Sequence, residues 1–186
     1  HSTSRRQRQM CIRDSLNAET LKRERKFQEE LDGEVSMPTH VVALGEDDIY
    51  LRDNNGVKRF QPSTGKVTLI EGTERARKNT MVVADGKVFA TVGTSVVVIE
   101  AGKDEIANTI EFEDRVSGVI KASDGNILVS DGSGNITKVD VKTYTKLGSS
   151  KVSDEAKSVL SASFAAAPSI TAKGDTLYTV SYTHLR

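Results

Sequence analysis

The 186-residue chain has no tryptophan, one cysteine and three prolines, and its aromatic content is 5%. A single thiol, Cys11, excludes an intrachain disulfide framework and leaves the redox compartment open. With so few aromatic rings the chain is a poor home for a complete sugar-stacking or flat-ring site. Long apolar runs are missing too. The longest aliphatic run is "VVVI", Val96 to Ile99, far short of the roughly 20 residues of a membrane helix, and no apolar signal-peptide core is present. Neither charge sign is in excess, with 26 Lys+Arg against 26 Asp+Glu, so no basic field steers the chain to nucleic acid. The expectation is therefore no nucleic-acid partner and no transmembrane segment in a chain of one-domain length.

What is present in the middle does not extend to the ends. Residues 1–15, "HSTSRRQRQMCIRDS", and 181–186, "SYTHLR", lack the alternation that fills the rest. They resemble translated sequencing-adapter read-through, and a basic disordered tail is the alternative reading of residues 1–15. Fold reasoning is accordingly confined to residues 16–180.

That middle repeats. In "GEDDIYLRDNNGVKRFQP", "ADGKVFATVGTSVVVIEA", "SDGNILVSDGSGNITKVDV" and "AKGDTLYTV" a polar turn precedes a short apolar pair. The pairs are Ile49/Tyr50, Val88/Phe89, Ile127/Leu128 and Leu177/Tyr178, spaced by 39, 39 and 50 residues. Val57, Val96 and Ile136 align further on, as do Phe60, Ile99 and Val139. Short alternating runs broken by Gly, Asp, Asn and Ser are strand and turn chemistry. In the unit spanning 79–112 the strands read "NTMVVA", "KVFATV", "SVVVIE" and "EIANTIEF", and "ADGK" is an Asp-Gly hairpin signal.

Four antiparallel strands in each unit of about forty residues predict an all-β chain, a partial β-propeller. It holds about three full four-stranded blades (roughly 34–71, 79–112 and 116–149) and two partial ones. Propellers close with about four to eight blades, so an internal fragment of a longer protein is expected. A four-blade ring closed by the two partial blades is the alternative. Residues 17–33, "NAETLKRERKFQEELDG", read locally as a helix, yet Thr20 aligns with Thr64 and Thr143 before a fourth strand. The repeat favours strand. "SDGSGN", residues 130–135, has the Asp/Ser/Asn spacing of a calcium loop, but Ile136 and Lys142 stand where an EF-hand needs glycine and glutamate. It reads as the turn between second and third strands.

Turns between second and third strands share one end of a meander with the blade-to-blade connections, which vary: "DGEVSMPTH", "GTERARKN", "EDR" and "GSSKVSDEAKSVLSASFAAAP". Variable loops on a rigid scaffold carry binding residues. The candidates are His40, Asn54, Asn55, Arg75, Arg77, Asn79, Arg115, Asp131 and Ser133. Catalysis finds little support: between residues 16 and 180 His40 is the sole histidine, so neither a His zinc cluster nor a Cys–His pair can form. His40 is expected to face the central channel as a polar residue. No catalytic residue, metal or cofactor is predicted.

"VVADGKVFATVGTSVVVIEAG" and "VSGVIKASDGNILVSDGSGNITKVDVKTYTKLGSS" resemble blades of the YVTN/YncE-like β-propellers, and more narrowly those of unknown-function surface lipoproteins of gut Bacteroidetes. "SFAAAPSITAKGDTLY" is similar to the same group, so the likeness covers about residues 17–180. The resemblance implies a non-enzymatic binding or scaffold module at the outer-membrane surface or in the periplasm. Its partner would be a small ligand or a surface protein. Some relatives of this group capture cobalamin and pass it to an outer-membrane transporter. The alternative is a lactonase-like propeller hydrolase, which would need clustered acidic or His ligands in the channel.

Overall fold

The structure, a computed structural model, describes residues 14–16, 19–20, 22–26, 32–36, 38–74, 80–151, 170–173 and 176–179. Every named element is a β-strand. The first full sheet holds β3 (His40–Gly45), β4 (Asp48–Asp53), β5 (Gly56–Gln61) and β6 (Lys66–Leu69). The second holds β7 (Met81–Ala84), β8 (Lys87–Val92), β9 (Ser95–Glu100) and β10 (Asn108–Glu111). The third holds β11 (Val116–Lys121), β12 (Ile127–Asp131), β13 (Asn135–Val139) and β14 (Lys146–Lys151). Each is an antiparallel meander in chain order. Two hairpins flank them: β1 (Asp14–Leu16) with β2 (Arg23–Lys26), and β15 (Ile170–Lys173) with β16 (Thr176–Thr179).

Turn chemistry sets the hairpins. In "ADGK" both Asp85 (φ 47°) and Gly86 (φ 65°) take positive φ, the type I′ geometry whose twist matches the flanking strands. Side chains then alternate faces along each strand. Ile49, Val88 and Ile127 face back toward the preceding element, and Tyr50, Phe89 and Leu128 face forward. Hence the apolar pair of each unit serves two interfaces at once.

The sheets stack face to face with their first strands innermost: β3 lies against β7, β7 and β8 against β11, and β11 against β15. Tyr50, Val57, Val88, Ala90, Val97 and Ile99 fill the space between first and second sheets. Phe89, Val96, Val98, Ile110, Val119, Ile127, Val129 and Val139 fill that between second and third. The back of the first sheet is closed differently. Asp32 bridges Lys66 in parallel, and Val35 packs on Leu51 and Phe60.

One expectation holds and two are adjusted. The strand reading of residues 17–33 holds at Arg23–Lys26, whereas 27–31 lie outside the described residues. β1 begins at Asp14, two residues inside the excluded segment. "GSSK", expected to open the long connection, continues the fourth strand to Lys151, because Asn135 at the start of β13 still offers a partner there.

Candidate ligand-binding end

The second-to-third-strand turns and the blade connections meet at one end, joined by backbone hydrogen bonds. Asn54 N donates to Ser36 O (3.0 Å), Val116 N to Gly93 O (2.9 Å), Phe112 N to Thr94 O (2.9 Å) and Gly132 N to Arg115 O (2.8 Å). At the first sheet Gly56 has φ +138°, and a Cβ there would lie 2.8 Å from Thr73 Oγ1. The buried Thr73 hydroxyl accepts from Val57 N (2.9 Å) and donates to Ile70 O (2.6 Å), tying the connection to the turn. A side chain at position 56 would displace that tie.

Two turns are built alike. Asp53 and Asp131 are both buried and occupy the same place in their repeats. Asp53 Oδ1 accepts from Asn55 N at 2.8 Å; Asp131 Oδ1 accepts from Ser133 N and Asn135 N, both at 2.9 Å. Asn135 Nδ2 adds a bond to Asp131 Oδ2 at 2.9 Å. These carboxylates organise side-chain-to-backbone turns. Asp53 also pairs with Lys58 Nζ at 2.8 Å, both side chains almost wholly buried, and accepts from Ser36 N at 2.8 Å. Lys58 Nζ donates further to Glu34 O. This arrangement answers the calcium-like spacing at 131–135. Among the described residues no group of three or more His, Cys, Asp or Glu is placed to hold a metal.

Beneath the turns lies a belt of polar cross-strand pairs, one per sheet. His40 stands opposite Arg52; Thr91 N and Oγ1 both donate to Thr80 O at 3.3 Å; Ser117 Oγ meets Ser130 Oγ at 2.9 Å. The belt is linked across sheets: an Arg52 guanidinium N–H donates to Thr91 O (2.8 Å), and Val119 N donates to Thr80 Oγ1 (2.6 Å). Burial pushes the Arg52 guanidinium down to about 10, so it remains cationic at neutral pH. Burial first, and the Arg52 charge second, lower His40 below the ordinary imidazole value. His40 Nδ1 is buried and has no hydrogen-bond partner among the described residues. A neutral imidazole beside a cation, with hydroxyls on the adjoining sheets, suits an acceptor-rich polar molecule better than a cation.

The predicted residues distribute as follows. Asn54, Asn55 and Arg115 are exposed at this end, and Ser133 is half-buried with its Oγ donating to Asp114. Arg115, Asp131 and Ser133 form one patch on the third sheet, through the Gly132–Arg115 bond. His40, Asn54 and Asn55 belong to the first sheet. Arg75, Arg77 and Asn79 lie outside the described residues. His40 alternates with Val42 and Leu44, which pack on the second sheet, so on the innermost strand it shares their face, beside Arg52. Sequence reasoning missed Arg52, Thr80, Thr91, Ser117 and Ser130. The available signal was the 39-residue spacing of Arg52, Thr91 and Ser130.

Stacked four-stranded meanders with inner first strands define a β-propeller arc. The chain belongs to DUF5074, described as a domain of unknown function, whose family model matches residues 3–185. Among solved structures it is similar to the computationally designed Ika4 protein, at 14% identity and a TM-score of 0.59 over 81% of this chain and 89% of that one. It is also similar to Kuenenia stuttgartiensis hydrazine synthase, at 19% identity and TM-score 0.51 over 67% of this chain and 38% of that one. YCF48 bound to a D1 peptide matches at 15% identity and TM-score 0.47 over 64% and 40%. At such identities the likeness concerns the fold alone. No curated protein matches the chain. Among the described residues no helix is long and apolar enough to cross a membrane.

Proposed function

We propose that the chain is a non-enzymatic β-propeller binding module whose loop-rich end receives a small polar ligand or a surface protein. The observation that carries this reading is the polar belt His40–Arg52, Thr80–Thr91 and Ser117–Ser130, set beneath exposed Asn54, Asn55 and Arg115. Rigid sheets hold these donors in place, which lowers the ordering cost of binding. The resemblance to YncE-like surface propellers supports an outer-membrane or periplasmic location. It also supports delivery of a captured nutrient, cobalamin being the specific candidate, to an outer-membrane transporter.

Calorimetric titration of the whole chain with cobalamin tests the reading. Saturable binding, weakened about tenfold or more by combined Asn54→Ala, Asn55→Ala and Arg115→Ala changes, supports it. Binding that this triple variant leaves unchanged moves the ligand away from the loop-rich end. Hydrolysis of a lactone, lost in His40→Gln, replaces the binding reading with the hydrolase.

A further inference from the structure

The two carboxylate turns differ in what completes them. Arg52↔Val57 and Ser130↔Ile136 are equivalent pairs of second and third strands, so Gly56 stands where Asn135 stands. In the third sheet Asn135 Nδ2 donates to Asp131 Oδ2 at 2.9 Å, so the turn itself supplies the second oxygen of its aspartate. Gly56 has no side chain to do this, and the Thr73 hydroxyl, 2.8 Å from where a Cβ would stand, leaves no room for one. Asp53 is 2% exposed, and a carboxylate so buried is costly unless both oxygens are paired.

The second oxygen of Asp53 is served from outside the turn. Ser36 N donates to Asp53 Oδ2 at 2.8 Å, and Lys58 Nζ lies 2.8 Å from the same oxygen. Lys58 Nζ also donates to Glu34 O, and Ser36 O accepts from Asn54 N at 3.0 Å. Both backbone groups of Ser36 thus hold the turn. Ser36 ends a strap, Asp32–Ser36, whose other end is fixed at the start of β6. There Asp32 N donates to Gly65 O (2.8 Å), and Val67 N donates to Asp32 O (2.9 Å). Between the two ties Val35 is buried on Leu51 and Phe60.

We propose that docking of this strap sets the Asn54–Asn55 turn, with Ser36, Asp53 and Lys58 as positioning residues for the candidate binding end. When the strap lifts, Asn54 N loses its acceptor and Asp53 loses the Ser36 N–H. The turn is then held through Asn55 N and Asp53 Oδ1, beside a carboxylate that water can reach. The coupling is reciprocal: a ligand that fixes Asn54 and Asn55 tightens the strap by the factor by which the strap tightens the ligand. The third-sheet turn stands outside this coupling, because Asn135 completes it. Use of the turn by a ligand rests on the binding reading above. Dependence of the turn on the strap does not, and it is measured without ligand, so a failure to bind cobalamin would strike that reading and leave this one standing.

Amide hydrogen exchange on the whole chain is the test. In Gly33→Ala the new Cβ would lie 2.7 Å from Val67 O and 2.9 Å from Val67 Cβ, which forces the strap off β6 without touching the turn. The Asn54 and Asn55 amides should then exchange about tenfold faster or more, together with those of Asp32 and Val67, while Ser133 and Asn135 keep parent rates. Asn135→Ala should give the reverse, with faster exchange at Ser133 and no change at Asn55. Parent rates at Asn54 and Asn55 while Asp32 and Val67 are released overturn the proposal. Equal acceleration at Asn55 and Ser133 in Gly33→Ala also overturns it, because the loosening is then general. The unmodified chain supplies a reading free of any folding defect in these variants. In urea below the unfolding transition, Asn54 and Asn55 should open with the same urea dependence as Asp32, Ser36 and Val67. Distinct dependences separate the turn from the strap, and the proposal falls.

Discussion

Phe89 and Leu128 occupy the same place in successive repeats and differ in surroundings. Phe89 lies on the forward face of the second sheet and is sealed by Val116, Val119 and Ile127 of the third. Leu128 lies on the forward face of the third sheet and lines a groove. In this fold a strand position does not own its burial; the next sheet supplies it. The two closed interfaces also differ. Between second and third sheets the packing is aliphatic and aromatic. Between first and second, Tyr50 Oη reaches Glu100 O (3.0 Å) and Lys103 O (3.1 Å), and the Arg59 guanidinium donates to Asp104 at 3.2 Å.

The largest effect should come from Phe89→Ala, at about 3–5 kcal/mol of lost stability, while Leu128→Ala, at a half-buried side chain, costs less than the roughly 2–5 kcal/mol of a fully buried leucine. Urea unfolding of the two variants measures the difference directly. Equal costs mean that Leu128 is covered in solution as Phe89 is, which would remove the contrast between the two positions.

Next in size, Lys58→Ala leaves the Asp53 carboxylate buried without its cation. Removal of one partner of such a pair costs about 3–5 kcal/mol, and the Ser36 and Asn55 N–H groups that remain on Asp53 should reduce this. Thermal unfolding should report a loss smaller than that of Phe89→Ala. A variant as stable as the parent would mean that Asp32–Ser36 do not close the back of the first sheet.

Gly56→Ala should cost about 1–3 kcal/mol, from positive φ and from the Thr73 hydroxyl in its way. Gly86→Ala, where a Cβ meets nothing within 4 Å, separates backbone strain from this collision. Equal losses at both sites would assign the whole effect to φ.

The smallest effect is a pH dependence. Burial and Arg52 hold His40 below its ordinary value of 6.5 in the folded chain. Below pH 6.5 the unfolded chain therefore binds this proton more readily, and stability present above that pH declines as pH falls through the folded value. His40→Gln should flatten this part of the stability profile. An unchanged slope would show that the imidazole is not desolvated beside Arg52.

Much of the architecture was legible in the chain. Asp85-Gly86 marked its own turn, and Ile49/Tyr50, Val88/Phe89 and Ile127/Leu128 marked the strands that feed two interfaces. The register of β1–β2 was foreshadowed by the alignment of Thr20 with Thr64 and Thr143. The candidate end was less legible. Asn54, Asn55 and Arg115 were found because exposed turn residues follow from strand order. Arg52 was not, because nothing local distinguishes a buried guanidinium in a strand from a solvated one. The surroundings of His40 are hidden from the sequence for the same reason: they depend on the pairing with Arg52 and on the sheet beyond.

Strand and turn were determined by the sequence alone, since period-two alternation and the φ preferences of Asp-Gly act between neighbours in the chain. Tertiary structure decided which faces are dry and which charge is desolvated. Those outcomes depend on atoms brought from another repeat about 39 residues away, as Arg52 and Thr91 are, and local sequence does not encode how closely they approach.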